Sequence, residues 1–224
     1  MEGRDIAGLI DHTLLRPDAT ESDIEKLCEE AVQYGFASVC TASCWTALAR
    51  QYLDSKKSPV KVCTVVGFPF GSCLSDAKLE ETWDAVEAGA DEIDMVINVG
   101  YLRSGLLEKF EKDIREVRMA SGSAAVKVII ETCYLTDEQK VLAARTAKKC
   151  GAAFVKTSTG YGPAGAKLED VRLIREAVPD ILIKASGGIR TYDQVKAFTE
   201  AGASRIGTSS GPAIMAGARS ESSY

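Results

Sequence analysis

The chain has 224 residues, 46% hydrophobic and 26% charged, the balance of one globular domain that folds in water. A net charge of −5 and a pI near 5.1 argue against nucleic acid or an anionic membrane surface as the main partner, while a small anionic substrate held by a few local groups stays possible. No apolar run is long enough to span a bilayer, the start Met1-Glu2-Gly3-Arg4-Asp5 is too polar for a signal peptide, and seven cysteines scattered through apolar runs point to a reduced, cytoplasmic protein and not a disulfide framework.

Residues 8–13 read as a short first strand. Ile24, Leu27, Cys28, Ala31 and Val32 then recur at helical spacing behind capping residues, and Gly35 ends that helix. Strand 37–40 precedes helix 43–53, and strand 60–66 closes at Gly67 and Pro69. Ser75 caps a long helix over 75–88, with Leu79, Trp83 and Val86 expected on its packed face. The alternation continues with strand 89–96, a helix over about 106–119, strand 126–131, helix 136–151 and strand 152–156. It ends with helix 167–177, strand 181–184, helix 191–202, strand 204–207 and a short helix from Ser209.

Eight strands that read as apolar runs, each followed by a helix, predict a parallel sheet covered by helices. Gly35, Gly89, Gly151 and Gly202 each join a helix end to a small residue before every second strand, a weak (βα)₂ repeat. The count and order predict an α/β fold, a single-domain (β/α)8 TIM barrel over 1–224, with residues 218–224 as a short mobile tail.

In such a barrel the active site lies at the C-terminal ends of the strands. Lys156 ends the sixth strand and Lys184 the seventh, each followed by a turn of small polar residues: Thr157-Ser158-Thr159-Gly160 and Ala185-Ser186-Gly187-Gly188. A buried ammonium is costly unless paired, and a neutral lysine is a nucleophile that forms Schiff bases with carbonyls. One such lysine would be read as reaching out to solvent; two, each before an anion-type turn, point to one site. Asp94 interrupts an apolar strand and is the expected partner of both lysines, and Lys184 beside Lys156 would push it towards its neutral form. Gly187-Gly188 and Gly207-Thr208-Ser209-Ser210 fall in the loops after strands seven and eight, where a phosphate commonly sits, with Arg190 adding charge. Asp11, Thr13, Lys127 and Thr157 flank these positions. Cys40 is expected to be a packed small residue, and with His12 the one histidine, a zinc site through Cys40 and Cys44 lacks ligands.

The stretches 92–98 (Glu-Ile-Asp-Met-Val-Ile-Asn), 127–132 (Lys-Val-Ile-Ile-Glu-Thr), 155–160 (Val-Lys-Thr-Ser-Thr-Gly) and 184–190 (Lys-Ala-Ser-Gly-Gly-Ile-Arg) closely resemble the deoxyribose-phosphate aldolase family. So do residues 11–15, 66–69 and 207–210, so that the resemblance runs from about Ile10 to the C-terminus. It implies a class I aldolase without metal or cofactor, reversibly cleaving 2-deoxy-D-ribose 5-phosphate to acetaldehyde and D-glyceraldehyde 3-phosphate. Lys156 would carry the Schiff base, with Asp94 and Lys184 transferring protons. Gly160, Gly187, Gly188, Ser209 and Ser210 would hold the phosphate, joined by Arg190 and Gly207. Asp11, Thr13, Cys40, Lys127 and Thr157 would surround them. Tyr224 would reach back to protonate the enamine. A homo-oligomer, dimer or tetramer, is expected, acting on small phosphorylated sugars and aldehydes. Two departures stand out: Thr41-Ala42-Ser43 follows Cys40, where many relatives carry Asn-Pro or Tyr-Pro, and Tyr161 follows Gly160, where some carry lysine. Read from the residues alone, a phosphosugar isomerase or epimerase and a non-catalytic metabolite-binding barrel are the alternatives.

Overall fold

The structure, a computed structural model, describes residues 6–217; the expected tail at 218–224, with Tyr224, lies outside the described residues. Eight parallel strands close into one barrel in chain order, and the last pairs with the first. They are β1 (Ile10–Thr13), β2 (Ser38–Thr41), β3 (Lys61–Val66), β4 (Glu92–Val96), β5 (Ala125–Ile129), β6 (Phe154–Lys156), β7 (Leu182–Ser186) and β8 (Arg205–Thr208). The helices are α1 (Glu21–Tyr34), α2 (Thr46–Ser55), α3 (Ser75–Glu87), α4 (Val99–Arg103), α5 (Leu107–Ala120), α6 (Asp137–Lys149), α7 (Leu168–Ala177), α8 (Tyr192–Glu200) and α9 (Gly211–Met215). This is the expected (β/α)8 barrel. Among the described residues, no helix is long and apolar enough to cross a membrane.

The main apolar core lies between the barrel and its helices. Val39, Val62, Ile93, Met95, Val128, Val155, Ile183 and Ile206 are buried there with Leu27, Ala49, Ile114, Ala144, Ile174 and Val195 of the helices. The alternate strand residues point into the barrel, where charge replaces hydrocarbon. Each of the four repeated glycines has a left-handed φ (71°, 98°, 83° and 113°), a conformation that costs glycine least and turns each helix end into the next strand.

Three local expectations are corrected. The short helix α4, absent from the sequence reading, follows β4 directly; Asn98 caps it by accepting the Tyr101 N–H at 3.0 Å. The expected strand over 126–131 ends at Ile129, because Glu131 takes a left-handed backbone and opens a 3₁₀ turn. The fully buried face of α3 is Lys78, Thr82 and Ala85; of the expected row, Val86 is half-buried against the core, whereas Trp83 stays 55% exposed.

The cause of that rotation is an ion pair. Lys78 and Asp113 are fully buried with 2.6 Å between them, Lys78 also donates to the Val96 carbonyl at 2.8 Å, and Ser75 donates to Asp113 at 2.9 Å. The pair locks α3 and α5 to the C-terminal end of β4, two residues beyond Asp94. Removing one member leaves the other buried and unpaired, so Lys78→Ala should destabilise the fold by about 3–5 kcal/mol. Denaturant unfolding of Lys78→Ala, Asp113→Ala and the double variant checks this: the double variant should cost less than the two single losses together.

Candidate active site

Strand register sets the site. Asp94 pairs with Lys127 across β4 and β5, Lys156 with Lys184 across β6 and β7, and Lys184 with Arg205 across β7 and β8. Because every second residue points inward, these side chains meet on the barrel axis. Asp94 is the hub. Lys156 and Lys184 both donate to its Oδ2, at 2.8 and 2.7 Å, and Lys127 donates to Oδ1 at 2.7 Å. Lys184 also lies 2.5 Å from Asp11, and Lys127 lies 2.6 Å from Glu92. Arg205 closes the lower end, 2.5 Å from Asp11 and 3.1 Å from Glu92. Phe154 packs against Lys127 and Arg205 from the same interior. Gly207 makes the space: a Cβ there would lie 3.0 Å from Lys184 Cε.

The charges hold one another. Burial raises the Asp94 carboxyl pKa, but Lys127, Lys156 and Lys184 outweigh it and keep it well below the ordinary 3.8. Asp11 is lowered in the same way, burial being outweighed by Lys184, Lys127 and Arg205. Burial lowers Lys184, yet Asp11 and Asp94 outweigh it and leave the group above its ordinary value. Lys127 is raised likewise, Asp94 leading the charges that overcome its burial.

Above this cluster, one pocket is lined by Thr13, Leu15, Lys156, Thr159, Gly160, Tyr161, Ser186, Gly187, Gly188, Ile189, Arg190, Gly207, Thr208 and Ser209. Its floor is Lys156 and its wall is the pair of turns expected to hold an anion. Gly187 and Gly188 have φ of 90° and 81°, and a Cβ on Gly187 would lie 2.9 Å from Gly165 Cα, so the loop after β6 can close here only on a glycine. Ser186 donates to the Ser158 carbonyl at 2.6 Å, and Thr191 forms a capping box with Gln194 that also takes the Arg190 N–H, fixing the far edge.

Of the expected residues, Lys156, Gly160, Gly187, Gly188, Arg190, Gly207, Ser209 and Thr13 share that pocket, with Asp94, Lys184, Lys127 and Asp11 packed beneath it. Thr157 sits behind the wall, donating to the Ser186 carbonyl at 3.3 Å. Ser210 is not among the residues lining the pocket; it is buried, with its N–H donated to the Thr208 hydroxyl. Cys40 is fully buried against Leu15, Cys63 and Val65, as expected of a packed residue. A hydrogen bond from Cys63 lowers its thiol to about 7 against the effect of burial.

Glu92, Arg205 and Cys63 were missed. The signal for the first was present: Glu92 and Asp94 are two apart in a strand, so one inward acid implies the other. Two sets among the described residues come close enough to hold a metal ion, Cys40–Cys63–Asp94 and Asp11–Cys63–Glu92. The Lys127 ammonium already lies 3.2 Å from Cys63 and 2.7 Å from Asp94, which makes this a site for a cationic side chain.

A family model described as DeoC/LacD family aldolase matches residues 6–217. A deoxyribose-phosphate aldolase of Methanocella arvoryzae is 85% identical over 224 residues, with both chains fully covered. One from Thermococcus gammatolerans is 55% identical over 98% of this chain and 99% of its own. Among solved structures, the deoxyribose phosphate aldolase of Aeropyrum pernix, described as a unique tetrameric structure, superposes with a TM-score of 0.88 at 34% identity, covering 96% of this chain and 91% of that one.

Asp94 and Asp11 remain ionised in the folded state below the pH at which they protonate in the unfolded chain, 3.8. The folded state then binds fewer protons than the unfolded one. The stability these carboxylates confer is therefore complete above pH 3.8 and is lost as the pH falls below it. Asp94→Asn should lower the melting temperature at neutral pH, by taking from Lys156 its carboxylate partner and from Lys127 and Lys184 one of theirs, and make the acid limb shallower. Thermal melts on either side of that pH check both effects.

Proposed function

The chain belongs to the DeoC/LacD family of aldolases, and from that premise we propose that it reversibly cleaves 2-deoxy-D-ribose 5-phosphate to acetaldehyde and D-glyceraldehyde 3-phosphate through a Schiff base on Lys156. The observation that carries this reading is an imbalance of charge. The barrel interior gathers Lys127, Lys156, Lys184 and Arg205 against Asp11, Glu92 and Asp94, one cation in excess. Loss of a single proton balances the cluster. Lys127 and Lys184 each contact further carboxylates besides Asp94, whereas Asp94 is the one carboxylate paired with Lys156 among the described residues. Lys156 is also the lysine that borders the pocket. It is thus the member of the cluster with the fewest carboxylate partners and the one placed to meet the substrate.

Neutral Lys156 attacks the sugar aldehyde carbon, and the carbinolamine loses water to give an iminium, with Lys184 as the proton donor to the departing hydroxyl. The iminium accepts the electron pair of the C2–C3 bond as the C3 hydroxyl loses its proton to a water between Asp94 and Lys184 and becomes the aldehyde of glyceraldehyde 3-phosphate. Glyceraldehyde 3-phosphate leaves, the enamine is protonated at carbon, with Tyr224 as the proposed donor, and hydrolysis frees acetaldehyde and Lys156. The phosphate is proposed to lie against Gly160, Gly187, Gly188 and Ser209, with Arg190 at its side; all five line the pocket. Assembly as a homo-oligomer is proposed from the tetrameric relative.

Lys156→Arg and Lys156→Ala should abolish aldehyde release while the melting temperature stays near that of the wild type, since arginine supplies no neutral nucleophile. A coupled assay for glyceraldehyde 3-phosphate measures this, and appreciable turnover by Lys156→Arg contradicts the mechanism. Lys184→Leu should keep substrate binding but lower kcat by about 10²–10⁴ through the lost proton transfer. Steady-state kinetics of that variant should show the loss in kcat and little change in KM.

A further inference from the structure

Glu131 has no part in the mechanism above, yet the structure holds it in a costly way. Its φ and ψ are 52° and 67°, a left-handed backbone that, among the described non-glycine residues, it shares only with Lys57. Its side chain is 3% exposed. It begins the 3₁₀ turn Thr132–Tyr134 without capping it. The carboxylate instead crosses to the loop after β6, where it accepts the Thr159 N–H at 3.2 and 3.3 Å and the Thr159 hydroxyl as well. No cation pairs with it among the described residues, so neutral donors of one loop residue supply most of what satisfies a buried charge.

The surroundings show what this arrangement fixes. On either side of Glu131, the Ile130 N–H donates to the Lys156 carbonyl and the Thr132 N–H to the Thr157 carbonyl, both at 3.0 Å. The carboxylate adds a third hold, at Thr159. The Thr159 hydroxyl in turn accepts the Tyr161 N–H at 3.0 Å, and the Tyr161 hydroxyl donates to the Leu15 carbonyl at 2.8 Å, across to the loop after β1. Gly160 lies between these two anchored residues, with φ 88°, turned towards Gly187. A Cβ on Gly162 would lie 3.3 Å from the Glu131 carboxyl carbon, so the loop closes against the carboxylate. Glu131 itself lines an adjoining cavity of about 280 Å³ with Thr159 and Tyr161, not the pocket of Lys156. It acts through the loop and not by contact with the sugar.

We propose that Glu131 is a positioning residue: it sets the loop 157–162 so that Gly160 faces the phosphate, and thereby gives the site its preference for phosphorylated over unphosphorylated sugar. The inference rests on the proposed aldol reaction for its substrate. A strained backbone persists where its surroundings over-determine it, and here the fixed loop is what the strain maintains.

Two variants test this. Glu131→Gly removes the carboxylate and relieves the left-handed strain, so folding is retained. Glu131→Gln keeps an acceptor for the Thr159 N–H and offers its amide to the Thr159 hydroxyl oxygen. Glu131→Gly should raise KM for 2-deoxyribose 5-phosphate by about tenfold or more, the scale of a lost charged hydrogen bond. Its kinetics on unphosphorylated 2-deoxyribose should hardly change, and Glu131→Gln should recover most of the loss. Inorganic phosphate, titrated by calorimetry, should bind Glu131→Gly more weakly by a similar factor. An equal fall on both sugars, or phosphate bound as tightly as by the wild type, overturns the proposal. A wild type that cleaves neither sugar contradicts the aldol reaction, and the phosphate titration then decides on Glu131 by itself.

Discussion

Three ammonium groups share one carboxylate. That contact, Asp94 with Lys127, Lys156 and Lys184, is the constraint around which the rest of the barrel is arranged. A cation moved from water into protein costs several kcal/mol, and one carboxylate does not offset three of them. The interior therefore carries further counter-charges, Asp11 on β1 and Glu92 on β4, and Arg205 on β8 to hold those two in turn. The strands bring this chain of charges together because their inward positions are staggered around a closed sheet. The hydrophobic work of folding is done elsewhere, in the layer between the sheet and its helices.

The same constraint separates three lysines that composition alone makes equivalent. Lys127 lies deepest, between Glu92 and Asp94, and is raised well above its ordinary pKa. Lys184 is bracketed by Asp11 and Asp94 and is raised as well. Lys156 has Asp94 beneath it and the pocket above it. Two lysines each held by several carboxylates and one that opens on the pocket suit the proposed Schiff-base reaction, with charge to move protons and an amine within reach of the substrate. The loops complete the division of labour. Those after β6 and β7 turn on glycines, and Gly207 lies within β8 itself, which leaves backbone at the pocket wall.

Much of this was legible in the chain. The barrel followed from eight alternations of apolar run and amphipathic segment, and the glycines before even strands carry the left-handed turns that their position implies. Lys156, Lys184 and Asp94 were legible because each is an ionisable residue inside an apolar run. Three things were not. Lys127 was expected only to flank the site, near the start of the strand over 126–131, whereas it lies mid-strand and inward; register, which sets that, depends on pairing between segments far apart in sequence. The packed face of α3 was misread because hydrophobicity favours Trp83, while the structure buries Lys78 with a partner 35 residues away. Glu131 looked like the last residue of a strand, since nothing local announces a left-handed backbone that is held by Thr159, 28 residues further on.

The most direct measurement of the central claim is chemical trapping. Borohydride reduction of the protein in the presence of 2-deoxyribose 5-phosphate or acetaldehyde, followed by peptide mapping, identifies the amine that forms the imine. Modification at Lys156 alone, with inactivation in step, is the result this account predicts. Modification at Lys127 or Lys184, or activity that survives borohydride in the presence of a substrate the protein turns over, contradicts it.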